Sequence, residues 1–165
     1  MYQILLVDDE PIVLEGLCTF PWEKYHCAVA SQARDGIEGL ERLKETRPQI
    51  VITDIRMPGL NGIEFARQGK ELLPRTEFII LTGYADFDYA RTSLKIGIAD
   101  YLLKPFSFQD IETTLIPVLK RLEKQEKEKS GIEDMRNQLA RMLPILKEQL
   151  FQALLDGSLP RNSQK

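Results

Sequence analysis

Five short apolar runs recur along the chain, at 4–7, 27–30, 50–53, 78–81 and 101–103, and residues with helical spacing follow each of them. No other feature limits the architecture as much. Pro11 suits a first helical position, with Ile12, Val13, Leu14 and Leu17 behind it, and Phe20-Pro21-Trp22 breaks that helix. The spacing predicts a helix over 35–46, with Ile37, Leu40 and Leu43 inward, stopping before Pro48. It predicts another over 62–73, stopped by Pro74, and another over 84–96, ended by Gly97. Ser107 reads as the N-cap of one more, with Ile111, Leu115, Val118 and Leu122 on one face. Strands alternating with helices of this length need crossover connections, and so a parallel sheet. Near-continuous apolar runs agree, because parallel strands are buried on both faces. The prediction is an α/β fold, a doubly wound five-stranded parallel sheet with a C-terminal helical extension.

In an open sheet of this kind, ligands bind beyond the carboxyl ends of the strands. That rule selects Asp8 and Asp9, Asp54, Thr82 and Lys104, which follow or end the first, third, fourth and fifth runs. Three carboxylates cannot all stay ionised in a dry site. A hard divalent cation resolves the conflict, and oxygen donors suit Mg²⁺. No strand tip carries histidine or cysteine, which disfavours zinc. Lysine adds a point charge for a phosphoryl oxygen, and threonine adds a hydroxyl donor. The set describes a metal-assisted phosphoryl site whose nucleophile is a carboxylate. Each member alone has a plainer reading: Asp9 as a helix cap, Lys104 as a surface lysine, Thr82 as a strand-end residue. The convergence of five polar residues on four strand tips is what chance explains poorly. His26 is read as an ordinary loop histidine, and Trp22 as packing over a helix end.

The stretches "ILLVDDEPIVLEGL", "VITDIRMPGLNGIEFA", "IILTGYADFDYA" and "DYLLKPF" resemble the response regulator receiver domain of bacterial two-component signalling, over residues 3 to 122. The wording of "LTGYADFDYA" and "IADYLLKPF" is similar to the YesN-like group, whose output domain is an AraC-type helix-turn-helix. The resemblance implies a flavodoxin-like receiver in which Asp54 accepts a phosphoryl group from a sensor histidine kinase. It implies Mg²⁺ bound by Asp9, Asp54 and the backbone carbonyl of Arg56, with Asp8 acting through water. Lys104 is implied as the partner of the phosphoryl group, Thr82 and Tyr101 as switch residues, and the Lys104-Pro105 bond as cis. On this reading the chain is a phosphoacceptor with autocatalysed phosphorylation and dephosphorylation only, not an enzyme acting on other substrates. Phosphorylation would repack the face formed by the 84–96 helix, the fifth strand and the helix after it.

Beyond the expected receiver at 1–122, residues 123–131 read as a charged helical linker and 132–157 as an amphipathic or coiled-coil segment, with 158–165 a flexible tail. Ile132, Met135, Leu139 and Met142 recur at steps of three and four. Pro117 is expected to kink its helix, and Pro144 to begin a second one through Ile145, Leu146, Leu150 and Leu154 to Gly157. Two such helices from each of two chains would close a small four-helix core, making the chain a homodimer through this segment and the receiver face. Docking of both helices on the same receiver is the rival. DNA contact is expected only through an output domain that this sequence does not contain, and a stand-alone receiver is the alternative.

The chain of 165 residues carries a net charge of −3, which speaks against a broad nucleic-acid surface. Cys18 and Cys27 have no metal or redox spacing, and no run approaches the ~20 apolar residues of a membrane span. A cytoplasmic protein without a signal peptide or membrane partner is expected. Two other classes compete. A Mg²⁺-dependent aspartyl-phosphate phosphatase needs a second acid two residues after the nucleophile, where Arg56 stands. An interaction scaffold without chemistry has no use for the intact Asp9, Asp54, Thr82 and Lys104 set.

Overall fold

The computed structural model describes residues 1–83, 86, 88, 91 and 93–157. Two compact units divide the chain, Met1–Lys120 and Arg121–Lys165. The first contains β1 (Tyr2–Val7), α1 (Pro11–Cys18), β2 (Cys27–Ala33), α2 (Gly36–Thr46), β3 (Ile50–Asp54), α3 (Gly62–Leu72), β4 (Glu77–Thr82) and β5 (Asp100–Leu103). Helix α4 (Phe108–Leu155) begins in the first unit and continues through the second.

All strand pairs are parallel, in the order β2-β1-β3-β4-β5, the flavodoxin-like arrangement. Burial explains which strands are central. Every residue of β3 and β4 is buried, whereas β2 and β5, at the edges, carry exposed positions. Leu5, Val7, Val51, Phe78 and Ile80 pack with Leu43, Phe65 and Ala66 of α2 and α3. The alternate set, Ile4, Leu6, Ile52, Ile79 and Leu81, is equally buried, so both faces of the sheet are covered. Chain order reverses between β1 and β3, which opens a crevice at their carboxyl ends.

Local chemistry starts the helices where that crevice needs them. Asp35 accepts from the Glu38 N–H at 2.8 Å, and Asn61 accepts from the Glu64 N–H at 2.9 Å. Ser107 and Asp110 cap each other reciprocally at the start of α4. Gly62 opens α3 against the end of β3. A Cβ there would lie 1.8 Å from the Asp54 carbonyl oxygen, while the Gly62 N–H donates to the Ile55 carbonyl at 2.8 Å. The indole N–H of buried Trp22 donates to the Leu17 carbonyl at 2.9 Å, over the end of α1.

Two expectations change, at Ile37 and at Pro144, and a third lies partly outside the described residues. Ile37 is exposed rather than inward, because the buried stripe of α2 runs through Gly36, Gly39 and Leu43 and Ile37 lies off it. In the 84–96 window Asp88 and Arg91 are helical and Ser93–Ile96 form a 3₁₀ turn before Gly97, whose φ is 85°; the other residues of the expected helix, except Asp86, lie outside the described ones. No second helix begins at Pro144. Helix α4 passes through both Pro117 and Pro144. A mid-helix proline costs about 3 kcal/mol. Burial of Leu115 and Val118 offsets that penalty around Pro117, and leucine, lysine, glutamate and glutamine, all good helix formers, surround Pro144.

In the second unit, Ile132, Met135, Leu139, Met142 and Leu146 are each at least half exposed. Among the described residues no helix is long and apolar enough to cross a membrane. The expected tail at 158–165 lies outside the described residues.

Candidate functional site

Strand register assembles the acidic site. Val7 pairs with Thr53, so Asp8 and Asp54 are the next residues in register across the β1–β3 crevice. Leu81 pairs with Asp54, which sets Thr82 one step beyond. The Lys104 N–H donates to the Thr82 carbonyl at 2.7 Å, carrying the lysine to the same edge. The four strand tips thus bring together the residues that the sequence assigned to them.

Lys104 Nζ lies 3.0 Å from Asp8 Oδ2, 3.3 Å from Asp54 Oδ2 and 3.7 Å from Glu10 Oε1. Asp8 is fully buried and its Oδ1 also accepts from the Glu10 N–H. Asp54 is 8% exposed, and its Oδ1 accepts from the Ile55 N–H at 2.8 Å. These bonds fix the plane of the Asp54 carboxylate. The carboxylates of Asp8, Asp9, Glu10 and Asp54 offer oxygens that all lie within 4.8 Å of one another. One lysine does not neutralise four acids. Burial, reinforced by the charge of Asp8, pushes the Asp54 carboxyl from 3.8 up to about 6, against the pull of Lys104 and the Ile55 N–H. Burial likewise raises Asp8. At Lys104, burial works against the charged form, but the hydrogen bond to Asp8 and the charge of Asp54 outweigh it and the ammonium is held more firmly. An excess of oxygen donors without nitrogen or sulfur is a donor set that could hold a hard metal ion.

The remaining residues sit around this centre. Thr82 is buried and its hydroxyl donates to the Gly83 carbonyl at 3.1 Å, not to Asp54. Tyr101 is half-buried, packed against the cluster of Phe65 and Phe78. The Lys104-Pro105 bond is cis. Sequence reasoning left out two neighbours. Glu10 looked like the residue before a helix, which it is, yet its carboxylate joins the cluster. Asp86 lies 30 positions from Arg56 and pairs with its guanidinium at 2.8 Å. Arg56 and Asp86 line an open cleft of about 730 Å³ together with Asp9, Met57 and Asn61. No local pattern announces that pairing, because it depends on two loops meeting.

Residues 4–116 match the family model of the response regulator receiver domain. This chain belongs to the response regulator receiver family. The receiver is 34% identical over 158 residues to the uncharacterized transcriptional regulatory protein YesN of Bacillus subtilis, covering 95% of this chain and 43% of that protein. It is 36% identical over 127 residues to the transcriptional regulatory protein HptR of Staphylococcus aureus, covering 76% of this chain and 50% of that one. The chain therefore spans half or less of the length of these two relatives. Among solved structures, the REC domain of AraT, a response regulator from Geobacillus stearothermophilus, superposes with a TM-score of 0.73 at 32% identity, covering 76% of this chain and 98% of that one.

Proposed function

We propose that this receiver is switched by phosphorylation of Asp54, with Mg²⁺ as the cation, in a regulator of transcription. The observation that carries the reading is the Asp54 carboxylate itself: buried, pushed up to about 6, and 3.3 Å from Lys104 within a four-carboxylate cluster. A carboxylate held in a fixed plane and short of counter-charge is a ready nucleophile once a cation joins it. Asp9, Asp54 and the Arg56 carbonyl would hold Mg²⁺ directly, and Asp8 through water. The ion supplies neutralisation of the acidic cluster and of the phosphoryl oxygens.

The chain's own groups do the rest. An oxygen of Asp54 forms the new bond to phosphorus as the bond from phosphorus to the kinase histidine breaks, and the imidazole leaves with the electron pair. Lys104 transfers part of its attraction from Asp8 and Asp54 to the incoming oxygens. Thr82 gives up its bond to the Gly83 carbonyl and donates to a phosphoryl oxygen, and Tyr101 follows. A shift of a few kcal/mol is enough to invert a two-state population. Acetyl phosphate should label Asp54 in Mg²⁺ and not in EDTA, and Asp54→Asn should lower stable labelling at least about 100-fold. Undiminished labelling of that variant removes the reading.

A second observation bears on output. The apolar stripe of α4 at Ile132, Met135, Leu139, Met142 and Leu146 lies exposed along one continuous helix. It favours a two-stranded pairing of two copies over the four-helix core expected from a break at Pro144. Such pairing would bring together two AraC-type DNA-binding output domains, as befits relatives named transcriptional regulators.

A further inference from the structure

Two residues on the wall of the open cleft have side chains that phosphoryl transfer leaves unused. The Arg56 Nε donates to Asp86 Oδ1 at 2.9 Å, and Nη2 lies 2.8 Å from the same oxygen. Ion pairs such as Arg42–Glu38, Arg42–Glu45 and Arg67–Glu71 join positions three or four apart within single helices. The Arg56–Asp86 pair instead ties the β3–α3 connection to the segment after β4, across the cleft that Asp9 also lines.

The two partners are unequal. The Asp86 side chain is 18% exposed, and its backbone N–H donates to the Gly83 carbonyl at 3.1 Å, which anchors it just beyond Thr82. The Arg56 side chain is 74% exposed, so the guanidinium is the partner free to move. It grips one oxygen end-on rather than two in a parallel fork, the weaker arrangement. A guanidinium this exposed is easily exchanged between partners. The planar guanidinium matches phosphoryl oxygens better than a single carboxylate oxygen.

We propose that the Arg56–Asp86 pair is a latch at the donor entrance: Asp86 holds the guanidinium on the cleft wall until a small acyl phosphate takes it over. Arg56 is then a donor-binding residue, and Asp86 sets how available it is. Arg56 makes and breaks no bond. It holds non-bridging oxygens while the bond from phosphorus to the donor's carboxylate oxygen breaks, carboxylate leaving with the electron pair, and the bond to Asp54 forms. The inference rests on Asp54 as phosphoacceptor and adds a recognition element to that site.

The test is the rate of Asp54 labelling against acetyl phosphate concentration, in the full chain with Mg²⁺. Arg56→Met should raise the half-saturating concentration two- to fivefold, and more than it lowers the plateau rate. Asp86→Asn should lower that concentration by a similar factor, because it releases the guanidinium. The double variant should behave as Arg56→Met alone, and Arg56→Lys should recover part of the loss. Independently, the ¹⁵N resonance of Arg56 Nε should move on adding beryllofluoride, in the direction that Asp86→Asn moves it. Normal labelling with half-saturation unmoved in both single variants overturns the latch alone, as does an Arg56 Nε signal indifferent to beryllofluoride. Absence of labelling in the unsubstituted chain overturns the phosphoacceptor reading and the latch with it.

Discussion

The strand-tip cluster and the far half of α4 break the usual partition of side chains in opposite ways. At the tips, carboxylates are buried beside too little positive charge. From Ile132 on, large apolar residues of the second unit stand in solvent. Each region is incomplete in its own currency, and the kind of incompleteness names the missing partner. Excess carboxylate asks for a cation; an uncovered apolar stripe asks for another apolar surface. The first is held rigidly by a packed sheet, so its chemistry depends on sub-ångström geometry. The second is a lone helix whose own packing demands little.

Glycine substitutions in the two regions should separate them most sharply. Gly62→Ala drives a methyl group to 1.8 Å from the Asp54 carbonyl oxygen, so strand tip and helix must part. It should cost about 3 kcal/mol, read from the urea midpoint. Stability unchanged within error would show that the tip is not rigid.

A pH scan in EDTA tests the buried charge. Asp54 binds its proton more firmly in the folded chain, about 6 against 3.8, so the folded state holds more protons between those values. Stability should therefore fall as pH rises from about 4 to about 6, by at most about 3 kcal/mol. Asp8, also raised, acts in the same direction. Asp54→Asn or added Mg²⁺ should flatten the slope. A stability that rises through that window would mean that Lys104 already compensates the cluster.

On the helix, Leu139→Glu should weaken self-association at least about tenfold while changing the stability of the first unit by less than about 0.5 kcal/mol. Sedimentation of parent and variant decides it. If the parent is a monomer at high micromolar concentration, with and without beryllofluoride, the pairing is wrong. The smallest effect has the opposite sign to the first: Gly131→Ala meets nothing within 4 Å and should stabilise the helix by about 0.5–1 kcal/mol. An equal loss at Gly62 and Gly131 would erase the contrast.

These regions also differ in how far their sequence could be read. The buried runs of β1, β3 and β4 announce parallel strands, and chain order then delivers Asp8, Asp54, Thr82 and Lys104 to one edge by topology alone. The strand β2 was harder, since Ser31 and Gln32 make its end polar where it lies at the sheet edge. Glu10 escaped because a residue before a helix usually serves the helix, and Asp86 because its partner is 30 residues away. At Pro144 a local rule was overridden: one proline opposes a helix that a dozen neighbours favour. At Ile37 the reverse happened, with glycines taking the packed stripe that a larger apolar residue was expected to hold.

Trp22 gives the first unit an optical signature of its own. It is the only tryptophan in the chain, nearly sealed, with its indole N–H engaged and its ring edge-on to Phe20, which in turn meets Phe108 at the start of α4. Its emission therefore follows the melting of Met1–Lys120 without any label. Circular dichroism at helical wavelengths sums over both units. Recorded on one sample, the two signals give two melting curves. Their separation, in degrees, measures how independently the helix beyond Lys120 holds together.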